Sequence, residues 1–182
     1  TKVEYMWTCT PQVILYSLKK LNLKSCTYLD ADLFFYDSPD KLIKEAKNKS
    51  VIITKHRYSP KYDMSRKFGI FNVQFLYFRN DRSGNLILND WKDKCIDWCY
   101  NRVEENKSGD QKYLDEWPTK FKNIHIMQNL GGGLGPWNIE NYDIILKNNK
   151  IKMKYKKKYF NPIFFHFSGI SIIHKKKYFL GT

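Results

Sequence analysis

Apolar positions along the chain follow two rhythms that alternate. Val13, Ile14, Leu18 and Leu21, with Ser17 among them, recur at helical spacing and predict an amphipathic helix over 11–21. The run 26–29 is short, apolar and strand-like, and stops at Asp30. Asp37-Ser38-Pro39 has the form of a helix start, with Ser38 as cap, Pro39 at the first helical position, and Leu42, Ile43 and Ala46 as the buried face. Residues 51–54 read as a buried strand, 56–69 as a polar loop without period, and 71–78 as a strand of aromatic and branched residues. Leu88, Trp91, Cys95, Trp98 and Cys99 make one stripe of a further helix. Residues 110–117 predict a short helix stopped near Pro118, 124–127 a strand, 129–138 a glycine-rich loop and 163–167 the last strong strand. Strands interleaved with helices make the fold class α/β, in a single domain over 1–182.

Composition narrows this reading. Hydrophobic residues at 42% and aromatics at 16% exclude a disordered or collagen-like chain. No stretch approaches the ~20 apolar residues of a membrane span, and no signal-peptide pattern opens the chain. The 32 Lys and Arg against 18 Asp and Glu leave a formal charge of +14, which favours phosphates, nucleic acid or an anionic membrane face. Cys9, Cys26, Cys95 and Cys99 form no CxxC pair and lack zinc-site spacing. Cys95 and Cys99, one helical turn apart, read as small buried residues. Free thiols place the chain in a reducing, cytoplasmic setting.

The most informative segment is Tyr28-Leu29-Asp30-Ala31-Asp32-Leu33-Phe34-Phe35. An apolar strand delivers two carboxylates at its C-terminal end, where α/β sheets place ligand groups. Strand alternation puts Asp30 and Asp32 on one face. Two such neighbours cannot both stay ionised cheaply without a cation between them, and Mg2+ or Mn2+, hard ions that take oxygen ligands, answers the need. A DxD pair at a strand end facing water is the bland alternative. His166 stands in an aromatic strand, as a core residue or as an imidazole ligand beside carboxylates. Asp110 and Gln111 open the segment Gly109-Asp110-Gln111-Lys112, where Asp110 is either a helix N-cap or a site acid.

Taken in order, TYLDADLFF, FNVQFLYF, GDQKYLDEW, NLGGGLGPWN and FHFSG resemble the retaining nucleotide-sugar glycosyltransferases, nearest to glycosyltransferase family 8 and its bacterial surface-polysaccharide relatives, from about Glu4 to Gly169. The resemblance implies a partial GT-A (Rossmann-like) mixed sheet flanked by helices. It implies a metal-dependent hexosyltransferase using a nucleotide-diphosphate sugar, UDP-linked, and a polysaccharide or lipid-linked acceptor, with retention. Asp30 and Asp32 would match the motif that holds Mn2+ or Mg2+ against the donor diphosphate, and His166 the third metal ligand. Asp110 would match the acid on the donor-sugar hydroxyls, Gln111 the amide beside the anomeric carbon, and Asn72 the asparagine near the donor sugar. Residues 131–135 and Trp137 fall where such enzymes shape the acceptor side.

Two departures accompany the resemblance. Only 29 residues precede Asp30, so the chain is expected to be the C-terminal part of a GT-A domain that lacks its nucleotide-binding unit, either part of a working enzyme or an inactive truncated remnant. After Gly169 the family's Lys-Pro-Trp is replaced by Ile170-Ser171-Ile172, leaving Lys175 as the candidate for the diphosphate lysine. Haloacid-dehalogenase-like phosphatases also carry DxD after an apolar strand, but they want Thr or Val where this chain has Phe34. A nucleic-acid binder lacks any recognition motif here, and no nucleic-acid partner is expected. Lys152, Lys154, Lys156, Lys157 and Lys158 alternate with apolar residues in an edge strand or hairpin. That run is either a solvated face or a surface for lipid headgroups, which would hold the protein against the inner face of the membrane.

Overall fold

The computed structural model describes residues 1–169 and, beyond them, the backbone of two short strands at Ser171–His174 and Lys177–Phe179. In chain order the elements begin with α1 (Lys2–Lys20), β1 (Ser25–Leu29), β2 (Leu33–Phe35), α2 (Asp40–Ile43) and β3 (Val51–Lys55). They continue with α3 (Ser65–Phe68), β4 (Phe71–Arg79), α4 (Arg82–Asp97), the small hairpin β5 (Val103–Glu104) and β6 (Lys107–Ser108), and α5 (Trp117–Lys120). Then come β7 (Ile124–Ile126), β8 (Asp143–Lys147), β9 (Lys150–Tyr155), β10 (Lys158–Phe160) and β11 (Phe164–His166). The expected α/β class and mixed sheet flanked by helices are present: the central sheet runs β1-β4-β3-β7, antiparallel except for the parallel β3–β7 pair. Among the described residues, no helix is long and apolar enough to cross a membrane.

Two apolar layers sandwich this sheet. On one face Ile14, Leu15 and Leu18 of α1 meet Ile87, Leu88 and Trp91 of α4 over Val51, Ile53, Leu76 and Phe78. On the other, Leu42 and Ala46 pack with Ile52, Phe75, Tyr77 and Phe164. Burial on both faces is why β3 and β4 read as continuous apolar runs rather than alternating ones. Trp91, wholly buried, also donates its indole N–H to the Asp110 carbonyl at 2.8 Å. Trp91→Ala is expected to cost about 3–5 kcal/mol, measured as a lower urea midpoint.

Several elements differ from their sequence reading. The first helix starts at Lys2, not at residue 11: Thr1 and Glu4 form a capping box, and Pro11 lies inside the helix. The Ser38 hydroxyl accepts the Asp40 N–H as expected of a cap, but Pro39 stays outside a helix of one turn. The stripe ending in Trp98 and Cys99 outruns α4, which stops at Asp97, although both residues are buried. Residues 112–116 form a 3-10 turn, and Pro118 opens α5 instead of stopping a helix, because the first helical turn needs no proline N–H.

The central sheet carries one irregularity close to its acidic end. The β3–β4 register shifts between Ile52 and Thr54, so β4 bulges there, while its pairing with β1 stays continuous. As a result Phe71 and Val73 share a face with Leu76 and Phe78, and strict alternation is broken. The bulge is fastened by polar groups: the Asn72 Oδ1 accepts the Gln74 N–H at 2.7 Å, and the Thr54 hydroxyl donates to the Phe75 carbonyl at 3.4 Å.

Candidate metal centre

Asp30 and Asp32 are not on a strand, as alternation suggested. β1 ends at Leu29, and both acids lie in the turn that carries the chain from β1 to β2. The turn arises because β1 is tied to β4 while β2 leaves to pair with β11. Its ends are fixed by the backbone: Asp30 N–H donates to the Gln74 carbonyl at 3.1 Å, and the Asp32 carbonyl accepts the Phe167 N–H at 2.9 Å. The β2–β11 pairing sets His166 opposite Leu33, one residue after Asp32.

The three side chains named from sequence therefore meet. His166 Nε2 lies 2.9 Å from Asp32 Oδ1 and 3.8 Å from Asp30 Oδ2, and one ligand atom from each residue falls within 4.8 Å of the others. The opposite ring nitrogen, Nδ1, faces Gln74 Oε1 at 2.9 Å. A neutral ring that donates there carries its one proton on Nδ1 and turns a lone pair from Nε2 onto the Asp32 carboxylate. That contact is repulsive unless a proton or a cation lies in it. Two carboxylates and an oriented imidazole are a donor set that fits Mn2+ or Mg2+. The Tyr28 hydroxyl donates to Asp30 Oδ1 at 3.0 Å and leaves Oδ2 toward the ring. Burial raises the Asp30 carboxyl above the usual carboxylate range, against the opposing influence of the His166 ring and the Tyr28 bond.

The triad stands where two lobes of a cleft join, both of them touching Asp30, Gln111 and His166. The first lobe, about 750 Å³, is walled by Trp7 and Thr10 of α1 together with Tyr28, Val73 and Asp110. Asp110 is no helix cap. It is 4% exposed, its Oδ2 has no partner, and burial, with the neighbouring Cys99 and Asp30, raises its carboxyl well above the usual range. Gln111 donates its amide N–H to the Phe68 carbonyl at 2.7 Å, which leaves its side-chain oxygen to the cleft. The second lobe, about 610 Å³, has an aromatic wall of His56, Tyr58, Tyr62, Phe68 and Trp137, with Asn72 behind it. Asn72 is buried and spent on its neighbours, its Oδ1 on the Gln74 N–H and its Nδ2 at 2.9 Å from His56 Nε2. Lys175 lies outside the described residues.

The glycine-rich loop has a different place from the one expected. Residues 131–135 are buried and support β11 from beneath: the Gly131 carbonyl accepts the Ile163 N–H at 2.7 Å, and the Leu134 carbonyl accepts the His166 N–H at 2.8 Å. Gly133, at φ +77°, passes so near β3 that a Cβ there would meet Thr54 Cγ2 at 2.5 Å. Only Pro136 and Trp137 of the segment reach the cleft.

Gln74, His56 and Tyr58 belong to the site without standing out in the sequence. Gln74 did carry a signal, being an amide inside an apolar strand where it is wholly buried. His56 stacks on Tyr58 at 4.4 Å and accepts or donates at both nitrogens. Burial holds its imidazole down at about 4. The unfolded chain takes that proton near 6.5, the folded chain only near 4, so this contribution is complete above 6.5 and is lost as pH falls between the two. The His56 contribution alone is expected to take about 3 kcal/mol from the unfolding free energy over that window, read as the difference between wild type and His56→Asn in urea unfolding at a series of pH values.

No protein-family model matches the chain. It is similar to two proteins of Bacillus subtilis, each carried as an uncharacterized protein. YfnD is 29% identical over 180 residues, covering 96% of this chain and 56% of the relative. YfnF is 32% identical over 180 residues, covering 93% of this chain and 58% of the relative. The chain thus spans a little over half the length of these relatives.

Proposed function

We propose that the chain carries the metal-binding and sugar-handling part of a glycosyltransferase. It moves a hexose from a nucleotide-diphosphate sugar, UDP-linked, to a glycan or lipid-linked acceptor with retention, in the manner of the glycosyltransferases its motifs resemble. The supporting observation is the convergence of Asp30, Asp32 and His166 at the junction of two cleft lobes, one of them walled by Asp110.

Mn2+ or Mg2+ would be held by Asp30, Asp32 and His166, and when bound it supplies positive charge against the diphosphate that departs from the sugar. Gln74 keeps the His166 ring turned toward the acids, and Tyr28 fixes the Asp30 carboxylate. Asp110, in the wall of the first lobe, accepts donor-sugar hydroxyls there. The Gln111 side-chain oxygen, free of the Phe68 bond, positions the sugar carbon as positive charge builds on it. Trp137, Tyr58 and Tyr62 offer ring faces to the acceptor sugar in the second lobe. Incubating the chain with UDP-hexoses should release UDP in the presence of Mn2+, stop on adding EDTA and resume on restoring Mn2+. Release of UDP at equal rate throughout would rule out the metal role, and an absence of Mn2+ binding by titration calorimetry would rule out the centre.

A further inference from the structure

A second feature of the molecule owes nothing to the transferase reading. Strands β8, β9 and β10 form an antiparallel ribbon with a regular register. Directly paired residues share a face, so Ile144, Leu146, Ile151, Met153 and Phe160 line one side, and Lys147, Lys150, Lys152 and Lys154 the other. Apolar positions on a sheet face are normally covered, yet Ile144 is 60% and Leu146 72% exposed. Ile144 shares a cavity with Tyr36, an exposed ring whose centroid lies 5.0 Å from that of the exposed Phe34.

Here opens a cavity of about 270 Å³, walled by Leu134, Ile139, Ile151, Met153, Phe165 and Phe167, with Tyr36 the one lining residue that carries a hydroxyl. A cavity so lined has no partners for water and suits hydrocarbon. Along the ribbon the charge is one-sided: between Asp143 and Tyr159 the sequence holds seven lysines and a single acid. Lys147 and Lys150 flank the ribbon tip, and Lys158 lies on the apolar side opposite Tyr155.

We propose that this face docks on an anionic phospholipid surface. Ile144 and Leu146 enter the headgroup boundary, an acyl chain occupies the cavity, and the lysines reach lipid phosphates on stems long enough to bend round the ribbon. A second copy of the chain is a poorer occupant, since it would bring Lys158, on the apolar side, and the tip lysines Lys147 and Lys150 against their own counterparts. Phe165 and Phe167 point into the cavity while His166 between them points into the cleft, so docking places the cleft one strand's thickness from the membrane.

The test is cosedimentation of the full chain with vesicles of phosphatidylcholine alone and of phosphatidylcholine mixed with phosphatidylglycerol, at low and high salt. The chain is expected to pellet with the mixed vesicles at low salt and to stay in solution with the neutral ones. Lys147→Glu with Lys150→Glu, and separately Ile144→Ser with Leu146→Ser, should each weaken binding by about tenfold or more. All four positions are exposed, and unchanged melting temperatures would establish that both variants fold. Equal behaviour on the two vesicle types would overturn the proposal. So would a serine pair that binds like the wild type, because binding would then rest on charge alone. A concentration-dependent dimer dissolved by the serine pair, with no vesicle binding, would assign the face to a second copy instead.

Discussion

Asp32→Ala is expected to leave the protein folded and to lower sharply the metal-dependent transfer proposed for it. The Asp32 side chain is 47% exposed, and it contributes no packing to the described core. Its loss takes one carboxylate from a set of three ligands and leaves His166 Nε2 facing only Asp30, at 3.8 Å. Mn2+ affinity by calorimetry should fall by about 100-fold or more, beyond the 10–100-fold typical of losing an outer partner. Turnover of UDP-sugar should fall by about 10²–10³, the scale of removing one preorganised electrostatic contact. His166→Ala should have the same effects on metal and turnover. It should also cost stability, since His166 is buried and holds the Gln74 amide. Wild-type turnover by Asp32→Ala would end the metal reading of this cleft.

Asp110→Asn should separate stability from activity in opposite directions. In the folded chain Asp110 is enclosed with an unpartnered oxygen, and burial raises its carboxyl well above the usual range. The unfolded chain releases that proton near the ordinary carboxylate value, so the group favours unfolding increasingly as pH rises from there toward its folded-state value. An amide carries no charge to desolvate. The substitution should therefore raise the melting temperature at neutral pH, by an amount equivalent to about 1 kcal/mol, and the gain should shrink under acid conditions. Transfer should fall all the same, because the amide no longer offers the sugar hydroxyls two accepting oxygens. A variant less stable than the wild type at neutral pH would mean that Asp110 is satisfied in place, as an unpartnered group is not.

The sequence and the structure agree where burial is extreme. β3 and β4 are apolar on both faces and need no partner to be recognised, and the stripe of α4 survives because Trp91 and Leu88 sit a helical turn apart. The agreement fails where local chemistry is ambiguous. Pro11 resembles a helix start, and only the capping box at Thr1 and Glu4 overrides it. The β4 bulge leaves no mark in composition, yet it aims Gln74 at His166. The candidate centre was legible as residue types but not as geometry. Asp30 and Asp32 are brought together by a turn, not by alternation, and His166 joins them through a pairing of three residues that no local pattern announces. Asp110, legible as either a cap or a site acid, was resolved by its burial.

The β2–β11 ladder has a further implication. It holds the acids on one strand's approach and the imidazole on the other with only three paired residues. A cation held there, as proposed, would join the two strands, and part of its binding energy would go to seating the later one. During synthesis such a site could not form before His166 had emerged, 134 residues after Asp32.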